Sequence, residues 1–86
     1  MEREEYLAKC LEIAKRANSK LQDVASDKAT EFAWIVSNYG EQEGATKEAL
    51  TKSIADMHIC LMSISCLFAI DGLEVEAYVA QQLGLD

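Results

Sequence analysis

Proline is absent from this 86-residue chain, and glycine occurs only at Gly40, Gly44, Gly72 and Gly84. A turn-dense all-β fold leans on both residues, so their scarcity points to a few helices with short joints. Basic side chains are also few. Eight Lys and Arg stand against 15 Asp and Glu, a net charge of -7. That balance disfavours a direct grip on DNA or RNA phosphates, which needs clustered cations. The three cysteines, Cys10, Cys60 and Cys66, form no CxxC pair. Cys60 and Cys66 fall about 120° apart on a helix, a poor arrangement for a shared metal. The charged N-terminus has no secretory pattern, so the expectation is a cytoplasmic protein with reduced thiols. No glycine-rich phosphate loop, GxSxG or HExxH pattern occurs. The uncharged run from Met57 to Ile70 contains His58, Ser63 and Ser65 and is too short and too polar for a membrane span.

What the chain does have is hydrophobic side chains, 50% of its residues, enough to give one small domain over residues 1–86 a core. Leu7, Cys10, Leu11, Ala14 and Ala17 recur at steps of three and four, which predicts a helix from about Glu4 to Asn18. A break is expected within 18–27, where Ser19 with Gln22 has the form of a capping box and Ser26 with Asp27 offers a second start. A second helix is expected over roughly Asp27–Tyr39, with Ala29, Phe32, Ala33, Val36 and Tyr39 as its apolar face. Gly40 to Gly44 is the clearest loop. The third helix is expected from about Thr46 to Ile70, with Leu50, Met57, Leu61, Ile64 and Phe68 on a heptad-like stripe that also includes Ile54. Its opposite face is apolar too, with Ile59, Cys60, Met62, Cys66 and Leu67. Asp71 and Glu74 form a capping box for a fourth helix, which Val75, Tyr78, Val79 and Leu83 line and Gly84 ends.

So small a domain cannot hide both faces of its third helix within one chain. Surplus apolar surface of this kind implies a partner, and the expected architecture is an all-α, four-helix homo-oligomer, a dimer or tetramer. The stripe through Leu50, Met57, Leu61, Ile64 and Phe68 is the expected interface.

Charge is distributed unevenly. Residues 1–20 hold five basic and four acidic side chains; the remainder hold three basic and 11 acidic. An acidic surface can attract Mg²⁺ or a basic partner protein, or serve solubility alone. Glu31 and Asp56 stand out because each sits within an apolar helix. If helices two and three pack antiparallel across the Gly40–Gly44 loop, the two acids lie about 13 and 18 Å from the turn. That permits a shared Mg²⁺, the only cofactor the residues suggest. The plainer reading makes both rim residues, one of them paired with Lys28 or Lys52. His58 reads as a partly buried histidine bonded to a neighbour, or as a substrate-touching or pH-sensitive residue.

The segments Lys52-Ser53-Ile54-Ala55-Asp56-Met57 and Phe68-Ala69-Ile70-Asp71-Gly72-Leu73-Glu74-Val75-Glu76 resemble the MazG-like all-α nucleoside triphosphate pyrophosphohydrolases. The likeness spans about residues 27–83. In that family an ExxE motif on one helix faces an ExxD motif on the next. The resemblance implies a MazG-like four-helix bundle with Glu31 and Asp56 as metal ligands and Lys28, Trp34, Lys52 and Ser53 near a nucleotide. Two family acids are replaced: Trp34 stands for the second Glu of ExxE, and Ser53 for the leading Glu of ExxD. Mg²⁺ wants octahedral oxygen ligands, so the loss of two carboxylates points to a degenerate site. Trp34 then serves packing, or stacks on a base.

Three functions follow. The first is a catalytically degenerate binding or regulatory protein that holds a nucleotide or a partner protein. The second is an active Mg²⁺-dependent NTP or dNTP pyrophosphohydrolase. The third is an acidic inhibitor or decoy, of the sort phages encode, that occupies a nucleic-acid-binding protein.

Overall fold

The computed structural model describes residues 1–17 and 20–85, and those residues form four helices with no strand among them. The helices are α1 (Arg3–Ala17), α2 (Leu21–Ser37), α3 (Lys47–Leu67) and α4 (Gly72–Leu83). The all-α class expected from the scarcity of proline and glycine, and the four helices expected from apolar spacing, are what the described residues adopt.

α2 begins earlier than its apolar pattern suggests. Lys20 precedes it in helical conformation without a side-chain cap, and the start offered by Ser26 and Asp27 goes unused. Ser26 lies inside the helix, where its carbonyl accepts from Thr30 Oγ1 at 3.0 Å. The suggested Ser19–Gln22 box lies outside the described residues. This longer α2 turns a different face inward. Leu21 and Ile35 are buried and Ala25, Lys28 and Phe32 half-buried, whereas Ala29, Ala33, Val36 and Tyr39 are exposed. The positions 21, 25, 28, 32 and 35 keep helical spacing, but Lys28 among them disguises the stripe as polar.

The α2–α3 connection is a tight corner. Gly40 (φ 77°) and Gly44 (φ 89°) take left-handed backbone there. The Gly40 amide donates to the Ala45 carbonyl at 3.0 Å, and Ala45 is buried under the turn. Thr46 caps α3 by accepting from the Ala49 amide at 3.2 Å. At the far end, the Ile70 amide reaches the Ser65 carbonyl at 2.8 Å and the Ala69 amide the Cys66 carbonyl at 3.4 Å, a Schellman closure. Ala69 therefore carries φ 55°, where glycine is usual. The Asp71 box then starts α4: Asp71 Oδ1 accepts from the Leu73 amide at 3.0 Å, and the Asp71 amide donates to Glu74 Oε2 at 3.1 Å.

α3 is the spine, with α1 and α2 each packed along it. The side it turns to them carries Ser53, Asp56, Cys60, Ser63 and Leu67, one residue around from the Leu50–Phe68 stripe. Small side chains dominate the buried set: Cys10, Ala14, Ala45, Ser53, Cys60 and Ser63, with Leu21 and Ile35 the large ones. Small residues let helix backbones approach closely, but they bury little apolar area. Among the described helices only α3 is long and apolar enough to cross a membrane. It carries Lys47, Glu48, Lys52 and Asp56 on the end nearer α2's C-terminus.

Candidate functional site

The α2–α3 hairpin brings three of the sequence-derived candidates together. Lys28 Nζ on α2 donates to Asp56 Oδ2 on α3 at 3.2 Å. It also lies 3.8 Å from Glu31 Oε2, one turn along its own helix. Lys28 and Glu31 are three residues apart, so they share a face, and the antiparallel hairpin sets Asp56 opposite them. The cluster is half open to solvent.

Its electrostatics follow from one cation serving two anions. The hydrogen bond to Asp56, then the Asp56 and Glu31 charges, hold the Lys28 ammonium above its ordinary value of 10.5. One turn beyond Asp56, Cys60 is buried beneath the cluster. Burial pushes its thiol up from 9.0, Asp56 adds to the shift, and Lys28 opposes it. Cys60 is thus held as the neutral thiol, a poor nucleophile.

The other candidates lie apart. Lys52 turns to Glu48 on the surface of α3, at 3.4 Å. Trp34, one turn past Glu31, is 48% exposed. Ser53 is buried one turn before Asp56. His58 is exposed rather than partly buried, and its backbone carbonyl accepts from Tyr6 Oη at 3.1 Å, a link from α1 to α3. Burial and the neighbouring Cys10 raise the Tyr6 phenol above its ordinary 10.0.

The donor set can be weighed against Mg²⁺. Both carboxylates engage Lys28, Trp34 offers only an N–H donor, and the Ser53 hydroxyl is buried. An ion would have to displace the ammonium and would then find two carboxylates. Among the described residues no three His, Cys, Asp or Glu side chains gather where they could share a metal. These residues do not fit an octahedral Mg²⁺ site. What the arrangement does is fasten α2 to α3 and present a small surface of mixed charge beside an exposed indole.

Sequence reasoning missed two features. Ser63 Oγ is wholly buried and has no hydrogen-bond partner among the described residues. Arg3 lines two open grooves between α1, α3 and the start of α4, and its guanidinium lies over Gly72. Neither has a local sequence signal, since each depends on how distant helices meet.

No protein-family model, curated protein or solved structure matches this chain.

Proposed function

We propose that this chain is a small cytoplasmic binding or regulatory protein on a MazG-like scaffold, catalytically degenerate and assembled as a homo-oligomer. The observation that carries the reading is the Lys28 ammonium seated between Asp56 and Glu31. On this reading the two remaining family acids have exchanged a divalent cation for a lysine. Two carboxylates and one ammonium sum to one negative charge, too little to hold Mg²⁺ against the phosphates of a triphosphate. Trp34 and Ser53 stand where the missing acids would be, one exposed and one buried. The exposed indole, one turn past Glu31, suits a nucleotide base or an apolar side chain of a partner protein. The acidic surface beyond residue 20 favours a basic partner over a nucleic acid.

The test is pyrophosphate release from a panel of NTPs and dNTPs with Mg²⁺ or Mn²⁺, using Asp56→Ala as control. Folded protein is expected to show no turnover above that control, while Trp34 fluorescence responds to a nucleotide or to a basic protein. Metal-dependent turnover that Asp56→Ala abolishes would establish the enzyme instead.

A further inference from the structure

The least satisfied part of the molecule is α4. None of its residues is buried, although its sequence is rich in Leu, Val and Tyr. Leu73 is 69% and Leu83 66% exposed. Val75, Val79 and Leu83 recur at four-residue steps, so they form one stripe down the helix. Where α1 and α2 lie along α3, α4 departs from its end. Open grooves of about 650 and 330 Å³ separate α4's first turns from α1 and α3. Beside those grooves, the outer side of α3 is bare: Leu61 is 58% and Phe68 54% exposed. Met62 and Cys66 line the grooves, so α3's bare side runs on into α4's.

The whole chain carries the same signature. Its accessible surface is 6737 Å², whereas a folded monomer of 9.5 kDa exposes about 5,000 Å². The excess of roughly 1,700 Å² is about twice what one partner buries in a standard protein interface. The radius of gyration is 14.7 Å, against about 12 Å for a compact chain of this length. Excess area, open shape and an apolar arm coincide at one surface.

We propose that α4 and the bare side of α3 are the surface through which two copies of this chain join across a twofold axis, each α4 packing on the α3 and α4 of the other. The occupant is a second copy because the surface is self-complementary: an apolar stripe, an apolar flank, and grooves that a helix can enter. Charge argues the same way. Arg3 lines both grooves with Glu76, and Asp71 joins them in the larger one, so a second copy brings a cation as well as acids to this face. The inference rests on the homo-oligomer reading above and is independent of what Lys28, Glu31 and Asp56 do.

Sedimentation of the full chain tests it, beside Val79→Glu/Leu83→Glu and a Gln81→Glu control on the opposite side of α4. The parent and the control are expected at about 19 kDa, two copies of the 9.5 kDa chain. The double variant is expected to dissociate at least about 100-fold more readily, since it would bury unpaired carboxylates. Its far-ultraviolet circular dichroism is expected to stay helical, because both positions are exposed within one chain. Hydrogen exchange on the unmodified chain gives a second readout: α4 amides are expected to gain protection as concentration rises. Higher salt is expected to strengthen the pair, because it screens repulsion between two chains of charge -7.

A parent chain that stays single at all concentrations overturns both this inference and the homo-oligomer reading, and co-flotation of that single chain with phosphatidylglycerol vesicles would assign the surface to a membrane. A dimer that keeps its affinity in Val79→Glu/Leu83→Glu, with α4 exchange independent of concentration, overturns this inference and leaves the homo-oligomer standing.

Discussion

Lys28 holds two carboxylates with one ammonium, and its raised pKa fixes the sign of a pH effect. A lysine whose folded value lies above 10.5 stabilises the fold in full below that pH, and the contribution fades as pH rises through the folded value. Denaturant unfolding of the parent and Lys28→Met from about pH 8 to about pH 12 checks this. The parent's advantage is expected to be constant at the lower end and to vanish at the upper. Added salt is expected to shrink it throughout, since the cluster is half exposed. That Glu31 and Asp56 could reach similar heights was legible from their distances to the Gly40–Gly44 turn, and each approaches the same lysine. Which cation would stand between them was not, because Lys28 and Lys52 are equally plausible from spacing. Packing decides it: Lys28 falls on α2's inward face, while Lys52 lies outside and turns to Glu48.

At the scale of the element, local chemistry marked both ends of α4, whereas the start and the inward face of α2 and the end of α3 lay elsewhere than expected. The Asp71–Glu74 box and the left-handed Gly84 are where their residue types place them, because caps are made by neighbours in sequence. α2's inward face was misread because its central position is a lysine, and hydrophobic periodicity cannot register a charge that is satisfied across a hairpin. The third helix stops at Leu67, before the Ile70 that apolarity alone suggested, because the Ala69 backbone turns left-handed. Asp71→Ala is expected to cost about 1 kcal/mol of local helix stability. With nothing else buried to hold α4, the loss is expected as faster amide exchange confined to its first two turns. α1 and α2, which the box does not touch, are expected to keep their protection.

For the molecule as a whole, the heptad-like stripe on α3 and the surplus of apolar residues were readable from sequence. The role proposed for α4 was not, since an amphipathic helix reads the same whether its stripe faces its own chain or another. Only the relation of elements separates the two, and here α4 projects from the end of the spine that α1 and α2 cover.

The small side chains at the centre of the molecule also bear on its heat capacity. Unfolding raises heat capacity in proportion to the apolar area newly wetted, by about 12–15 cal/mol/K per residue in ordinary domains, or about 1.0–1.3 kcal/mol/K for a chain of this length. Cysteine, alanine and serine at the core give a lone chain little such area to expose. Calorimetry on a dilute sample is therefore expected to show a broad, low transition with a heat-capacity step below that range. Concentrated samples, in which the proposed pairing would cover the outward leucines and valines, are expected to melt higher, more sharply and with a larger step. On the proposed pairing, cooperativity becomes a property of the pair of chains rather than of either one.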